Sequence, residues 1–109
     1  MASRERTNLP LTIANAATVS NAIDARGMAS GSFIIITALT GTVTSFQGSV
    51  DGATWVDLYT AANAATGVAV IAADKAYPIP AQVFDWPYFR LSGLSSQGAA
   101  RTGTVSMNG

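Results

Sequence analysis

The sequence predicts an all-β protein, built as one antiparallel β-sandwich or jelly roll of about eight short strands. Short runs rich in Val, Ile, Thr and aromatic residues alternate in polarity with a period of two, as half-buried strands do. Turn signals separate these runs at spacings of about ten residues, and no apolar pattern of helical period is sustained. A chain of 109 residues has enough length for one hydrophobic core. We therefore expect a sandwich domain over residues 15–109, preceded by an N-terminal arm and edge strand over residues 1–14.

The arm and the first strand come first in the chain. Residues 1–8 are charged and polar without apolar periodicity, which is typical of a solvated terminus. Leu9, Leu11 and Ile13 then alternate with small or polar residues and predict the first strand. Pro10 restricts that strand to a sheet edge or a strand start, because proline has no N–H group for the ladder. Alternatively, an extended arm of this kind pairs with a neighbouring subunit.

Two strands and a turn are predicted before the middle of the chain. Thr18–Ser20 together with Ile23 indicates a short second strand. Asp24–Gly27 predicts a turn in which Gly27 takes a positive φ. Ser32–Thr37 is a continuous apolar, β-branched run, which is typical of a central strand covered on both faces or of a strand at a subunit contact.

The clearest turn signal in the sequence is Asp51-Gly52, a dipeptide that favours the two-residue type I′ hairpin turn. The flanking segments, Thr42–Val50 and Trp55–Tyr59, alternate with a period of two and predict paired antiparallel strands. We therefore expect Asp51 and Gly52 to organise a central hairpin.

The C-terminal half predicts the remaining elements. After an Ala-rich loop these are a strand in Val68–Ala72, an extended segment Ala76–Pro80, an aromatic corner Val83–Pro87, a strand Tyr88–Ser92, a loop over residues 93–101 and a closing strand Thr102–Met107. In the strand Tyr88–Ser92, Phe89 and Leu91 alternate with polar residues, so one of its faces is expected to be buried.

Composition argues against several classes of function. Six basic and six acidic residues cancel, whereas nucleic-acid binding draws on a surplus of Lys and Arg. The chain has neither Cys nor His, which removes thiolate chemistry, the commonest general base and the commonest metal ligand. We expect no catalytic residue, no cofactor and no metal site. Only 11% of the residues are charged, which favours either a protein docked against other protein or a stable sandwich with a polar, uncharged surface.

The remaining signals for an enzyme or a membrane protein are weak. Asp57 and Asp85 lie beside tryptophans, but nothing in the sequence makes them face each other across a cleft, as the carboxylates of a glycosidase do. The N-terminus has no apolar core of a secretory signal, and the run Phe33–Ile36 is too short to span a bilayer. We expect a non-enzymatic protein of a soluble compartment.

The aromatic residues allow two interpretations. In the first interpretation, a sugar-stacking platform is formed by Trp55, Trp86 and the tyrosines. In the second, which we favour, the two tryptophans fill the ends of the sandwich core, because large rings bury the most area.

Several sequence motifs resemble known proteins. SVDGATW at Ser49–Trp55 is similar to the Asp-box motif S-x-D-x-G-x-T-W of sialidase-type propellers, with one residue fewer between Asp51 and Gly52. The longer arrangement SFQGSVDGATWVDLY, followed by AYPIP, YFRL and AARTGTVSM, resembles small β-sandwich proteins encoded among the structural genes of tailed bacteriophages. This similarity extends over roughly residues 32–107.

The resemblance implies a virion protein, made in the host cytoplasm and located on the capsid surface as a decoration or cement protein. Its expected partners are the major capsid protein and copies of itself, as a homotrimer, with no nucleic acid and no membrane. The candidate interaction residues are Arg4, Arg6, Leu9, Leu11, Ile13, Phe33 and Ile35, and the organisers of turn and core are Asp51, Gly52, Trp55 and Trp86. The alternative is a glycan-binding module of a phage tail or fibre.

Overall fold

Two antiparallel β-sheets form the protein, and the computed structural model describes residues 6–35, 43–58, 67–69 and 76–109 of it. Sheet I contains, in spatial order, β1 (Arg6–Ile13), β9 (Arg101–Asn108), β3 (Ser30–Ile35) and β7 (Ala76–Pro78). Sheet II contains β2 (Ile23–Asp24), β8 (Tyr88–Ser92), β4 (Val43–Ser49) and β5 (Val56–Asp57), and β6 (Gly67–Ala69) also pairs with β4. The predicted all-β sandwich is confirmed, while the jelly-roll connectivity stays a prediction.

The inner faces of the two sheets meet in one hydrophobic core. Residues paired directly across antiparallel strands place their side chains on the same face, so the strand registers assign each side chain to the inside or the outside. Sheet I contributes Leu11, Ile13, Phe33, Val105 and Met107 to the core, and sheet II contributes Ile23, Phe46, Phe89 and Leu91, each at most 2% exposed. Both sheets therefore bury one face and leave the other outside.

A chain of aromatic contacts joins the two sheets through this core. The ring of Phe33 in sheet I meets Phe46 in sheet II edge to face, with centroids 6.2 Å apart. Phe46 contacts Phe89 at 6.3 Å, and Phe89 contacts Phe84 edge to face at 5.9 Å. Tyr77 extends the chain on the sheet I side, 5.9 Å from Phe33. Each such pair contributes about 0.5–1.5 kcal/mol beyond its buried area.

Several predicted elements are present as expected. β1 is an edge strand, as Pro10 requires, and Gly27 has φ +79° in the turn after β2. β8 buries Phe89 and Leu91 and directs Tyr88 and Arg90 to the other face. The expectations for the Ala-rich loop at 61–65 and for the strand ends at 37, 42, 59 and 70–72 lie outside the described residues.

Two strands differ in detail from the expectation. β3 is an inner strand of sheet I but is covered within the chain on one face only, because Phe33 is 1% exposed whereas Ile34 is 39% exposed. The alternative for this run, a strand at a subunit contact, stays a prediction. The second strand is limited to Ile23–Asp24. The Thr18 carbonyl instead accepts the Leu94 N–H in the loop after β8. Ser20 bonds to Leu91 in β8, because its N–H donates to the Leu91 carbonyl and its hydroxyl accepts the Leu91 N–H.

The aromatic corner contains a 3-10 helix, Ala81–Asp85, with Val83 in the core. In the described part of the chain, no helix is long and apolar enough to cross a membrane.

The central hairpin is present, but its turn is not the predicted type I′. β4 and β5 pair as Gln47 with Asp57 and Gly48 with Val56, so residues 50–55 separate the paired strands after Ser49. A type I′ turn requires positive φ at both central residues, and here Gly52 has φ +79° whereas Asp51 does not have a positive φ. Backbone N–H groups of the loop donate hydrogen bonds to the side-chain oxygens of Ser49 and Asp51, and these bonds stabilise the wider turn instead.

The free edge of β1 is covered by one side chain. The Asn21 Oδ1 atom accepts the Thr12 N–H at 2.8 Å, and Asn21 Nδ2 donates to the Pro10 carbonyl at 3.0 Å. The Asn21 N–H also donates to the Thr12 carbonyl at 3.0 Å. Since Pro10 has no N–H group, the C-terminal half of β1 offers few free hydrogen-bonding groups to a further strand. All eight residues of β1 pair with β9 of the same chain, and the predicted pairing of the arm with a neighbouring subunit stays a prediction.

We expect Asn21→Ala to destabilise the fold by about 1–2 kcal/mol, because two edge hydrogen bonds are lost. Urea unfolding of both proteins measures this difference. The exposed edge should also increase self-association in light scattering at high concentration. Asn8→Ala, on the same strand but in the half that Asn21 does not cover, is the control and should change neither quantity appreciably. Equal effects of the two substitutions would contradict the role given to Asn21.

A close contact under β4 makes one glycine obligatory. Gly48 lies on the inner face of sheet II, where the indole of Trp86 covers it. A Cβ atom added at Gly48 would lie 2.5 Å from Trp86 Cγ and 2.7 Å from Cδ2. These atoms are near the base of the side chain and cannot move away without displacing the core. Trp86 therefore packs on the core, as predicted for it.

We expect Gly48→Ala to destabilise the protein by about 1–3 kcal/mol through overpacking. Thermal or urea unfolding measures the loss. The same substitution in a Trp86→Ala background should cost much less, because alanine lacks the Cγ, Cδ1 and Cδ2 atoms that the new Cβ would strike. A cost independent of Trp86 would show that the backbone of Gly48, and not this contact, requires glycine.

Candidate functional site

The outer faces of the two sheets differ in chemistry. The strand registers place thirteen side chains on the outside of sheet I: Arg6, Asn8, Pro10, Thr12, Ser30, Ser32, Ile34, Ala76, Pro78, Thr102, Thr104, Ser106 and Asn108. We call this surface the hydroxyl face. Its one charged member, Arg6, lies at the end of β1 and donates from Nε to Asn108 Oδ1 at 3.3 Å. The rest of the hydroxyl face is uncharged, with Ile34 exposed among the hydroxyl groups.

The outside of sheet II carries charges and aromatic rings, and we call it the charged face. Across three strands lie Arg90 on β8, Gln47 on β4 and Asp57 on β5. Arg90 Nε donates to Gln47 Oε1 at 2.8 Å, and Gln47 Nε2 donates to Asp57 Oδ1 at 2.8 Å. The guanidinium carbon of Arg90 lies 4.4 Å from the ring centroid of Trp55, within the range of a cation–π contact. The side chain of Arg90 therefore contacts both Gln47 and Trp55.

A second row of polar residues runs beside the first. Arg26 forms an ion pair with Asp24, with Nη2 2.7 Å from Oδ2, and its guanidinium carbon is 5.4 Å from the ring centroid of Tyr88. Hydrogen bonds from the Arg26 side chain, and then from its backbone N–H, lower the pKa of the Asp24 carboxyl group. Both partners are largely exposed, so the pair adds little to stability. It does hold Arg26 over Tyr88.

The loop over residues 50–55 positions Trp55 on this face. Asp51 Oδ1 accepts the N–H groups of Ala53 at 2.8 Å and Thr54 at 2.9 Å. The buried Ser49 hydroxyl donates to Asp51 Oδ1 and accepts the Gly52 N–H at 2.8 Å. The backbone N–H groups of Thr54 and Ala53, followed by the Ser49 hydroxyl, lower the pKa of Asp51. Asp51 and Gly52 do organise the turn, but through an Asx-type network of side-chain acceptors.

An open groove of about 490 Å³ lies where the edges of the two sheets approach each other. It is lined by Thr7, Leu9, Asp24, Arg26 and Met28. The ion pair of Asp24 and Arg26 therefore separates this groove from the ring of Tyr88 on the charged face.

The candidate interaction residues fall into three groups. Leu11, Ile13 and Phe33 are at most 2% exposed in the core of their own chain, so their side chains offer no surface to a partner. Leu9 is partly buried and lines the groove, and Arg6 is exposed on the hydroxyl face. Arg4 and the side chain of Ile35 lie outside what the structure describes.

The aromatic residues that the structure describes do not form the single platform considered from the sequence, and Tyr59 lies outside the described residues. Trp86 packs over Gly48 on the inner side of sheet II, and Tyr77 contacts Phe33 on the inner side of sheet I. Trp55 and Tyr88 lie outside, on the charged face. The expectation that both tryptophans fill the core is right for Trp86 and wrong for Trp55, which instead covers Arg90.

Sequence reasoning missed Gln47 and Arg26 as site residues. The position of Gln47 follows from strand register, and its alternation with Phe46 and Gly48 was the available signal. Arg26 lies in the turn after β2, where no register assigns it. Within the described ranges, no group of three or more acidic residues is arranged to hold a metal ion.

Comparisons with known protein families, curated proteins and solved structures find no match to this chain. The class of protein is therefore defined by its own geometry: a two-sheet antiparallel β-sandwich with one uncharged face and one charged, aromatic face.

We expect Asp51→Asn to lower the urea midpoint at pH 7, because an amide oxygen accepts the loop N–H groups more weakly than a carboxylate does. The folded-state pKa of Asp51 is lower than its unfolded value of about 4, so its contribution is present above that pH and is lost as the pH falls through the folded pKa. The difference in urea midpoint between the wild type and Asp51→Asn should therefore become smaller below about pH 4.

Asp24→Asn is the matched comparison for this prediction. The pKa of Asp24 is also lowered, so its effect should have the same sign and pH dependence. Its partner, however, is the exposed cation Arg26, so about 1 M salt should screen the effect of Asp24 more than that of Asp51, whose partners are backbone N–H groups. A wild-type advantage over Asp51→Asn that persists unchanged to low pH would contradict the account of the loop.

Proposed function

We propose that this chain is a non-enzymatic structural protein of a phage virion, a capsid decoration or cement protein that docks on the major capsid protein through its hydroxyl face. The observation that carries the proposal is the near absence of charge from the thirteen outward positions of sheet I. The resemblance of residues 32–107 to phage structural proteins supports the virion as the setting.

An uncharged face of small side chains suits permanent contact with protein. Removing a charge from water is costly unless it finds a partner, whereas Ser, Thr and Asn adapt their hydrogen bonds at low cost. Thr12, Thr102 and Thr104 are exposed beside Ile34, so polar and apolar contact groups alternate at close spacing. The cores of protein–protein interfaces are similarly depleted of charged residues.

The small size of the hydroxyl face indicates that several copies of the chain bind the capsid together. Strand spacing and rise give it an area of roughly 500 Å², below the roughly 800 Å² per partner of a stable interface. One copy on this face alone would bind weakly. A homotrimer that engages several capsid subunits would gain affinity through multivalency.

We expect Thr104→Glu and Thr104→Lys to weaken binding to capsids by roughly tenfold or more, because either sign of charge would be desolvated at the contact. The assay is co-sedimentation with capsids stripped of accessory proteins, scored as a saturation curve. Thr104 is exposed, so neither substitution should change the urea midpoint much.

Thr54→Lys is the matched control, since it adds the same charge to the exposed loop of sheet II. It should bind capsids as the wild type does. Saturation at a fixed ratio to the major capsid protein would support a cement role. Failure of the wild type to sediment with capsids would refute it, and equal effects of Thr54→Lys and Thr104→Lys would refute docking through the hydroxyl face.

A further inference from the structure

We propose that the charged face carries a binding site for a neutral saccharide, formed by Trp55, Arg90, Gln47 and Asp57. The site lies on the opposite side of the sandwich from the hydroxyl face. It goes beyond the proposed function and does not depend on it, because a chain docked by sheet I would leave sheet II toward solvent.

The hydrogen bonds within the site leave ligand-binding groups available. Arg90 uses Nε for Gln47, and Asp57 uses Oδ1 for the same amide. Among the described residues, the terminal nitrogens of Arg90 and the second oxygen of Asp57 have no assigned partner. Gln47 thus fixes the orientation of the Arg90 guanidinium group, a donor, on one side and of the Asp57 carboxylate, an acceptor, on the other. Sugar hydroxyl groups both donate and accept, and so match this pair.

An aromatic ring adjoins these polar groups. Trp55 is partly exposed and borders the guanidinium group of Arg90. Ligand sites combine apolar aromatic surface with a small number of oriented polar groups. The C–H groups of a sugar ring provide the apolar contact, and its hydroxyl groups reach Arg90 and Asp57. A simple polar ligand would leave the indole unused.

The charges of this face balance, and that balance selects the class of ligand. Arg90 shares the first row with Asp57, and Arg26 is paired with Asp24 in the second. An anionic ligand at Arg90 would lie near the Asp57 carboxylate, and a cationic ligand at Asp57 would lie near Arg90. A neutral polyhydroxylated ligand meets neither repulsion. We therefore expect neutral sugars to bind better than acidic ones.

The site is held in place before a ligand arrives. The Asp51 network orders the loop that leads into Trp55, and Arg90 is held by Gln47 on a paired strand. Preorganisation of this kind lowers the entropic cost of binding.

In the experiment, the full chain is titrated with four neutral probes, and binding is followed by Trp fluorescence and calorimetry. The probes are maltotriose, cellotriose, mannotriose and chitotriose, and N-acetylneuraminic acid is the acidic comparison. At least one neutral trisaccharide should bind at millimolar concentration, with an affinity that is unchanged between about 0.1 M and about 1 M salt. Trp55→Leu should weaken binding roughly tenfold or more, and Trp55→Phe, which retains a ring, should weaken it less. Asp57→Asn tests the acceptor and should also weaken binding.

Thr104→Val on the hydroxyl face is the matched control and should leave sugar affinity unchanged. Urea midpoints show whether each variant remains folded, and the graded pair at Trp55 separates loss of the ring from loss of the fold. The proposal is overturned if none of the neutral trisaccharides binds, or if Trp55→Leu binds as the wild type does. Preferential, salt-sensitive binding of the acidic sugar would also overturn it. Capsid co-sedimentation of the Trp55 and Asp57 variants is an independent measurement, so failure of sugar binding does not affect the proposed function.

Discussion

The contact between Phe33 and Phe46 is the interaction on which the rest of the structure depends. It joins the two sheets edge to face, and Phe89 and Tyr77 extend it through the core. Because side chains alternate along a strand, placing Phe46 inside also places Gln47 outside. A slip of one residue in β4 would bury Gln47 and expose Phe46, so the apolar core enforces the register. The polar surface is therefore a consequence of core packing.

This dependence explains why the functional surfaces cross several strands. Arg90, Gln47 and Asp57 are separated by up to 43 positions in sequence, yet adjacent strands bring them within hydrogen-bond distance. No local segment contains the site. The loop over residues 50–55 adds Trp55 to these three residues. Hydrogen bonds to the Asp51 carboxylate fix the path of this loop. Residues that contact no ligand thus determine whether the site exists.

The sequence predicted elements with local causes and missed those with long-range ones. The alternation in Tyr88–Ser92 and the positive φ at Gly27 depend on neighbouring residues, and both are confirmed. The turn at Asp51 was assigned the wrong type, because the dipeptide rule does not include the Ser49 hydroxyl, which competes for the same backbone groups. Cation–π contact between Arg90 and Trp55 requires the register of three strands, which no single-sequence pattern contains.

The distribution of the few charges links the two proposals. Of the eight charged residues in the described ranges, four form the rows of the charged face and a fifth, Asp51, orders its loop. The hydroxyl face carries Arg6 alone. Concentrating the few charges on sheet II leaves sheet I nearly uncharged, which suits the docking proposed for it. If sheet I is covered in the assembly, sheet II is the surface that meets solvent. A ligand from solution would then encounter Trp55 and Arg90 and not the hydroxyl face.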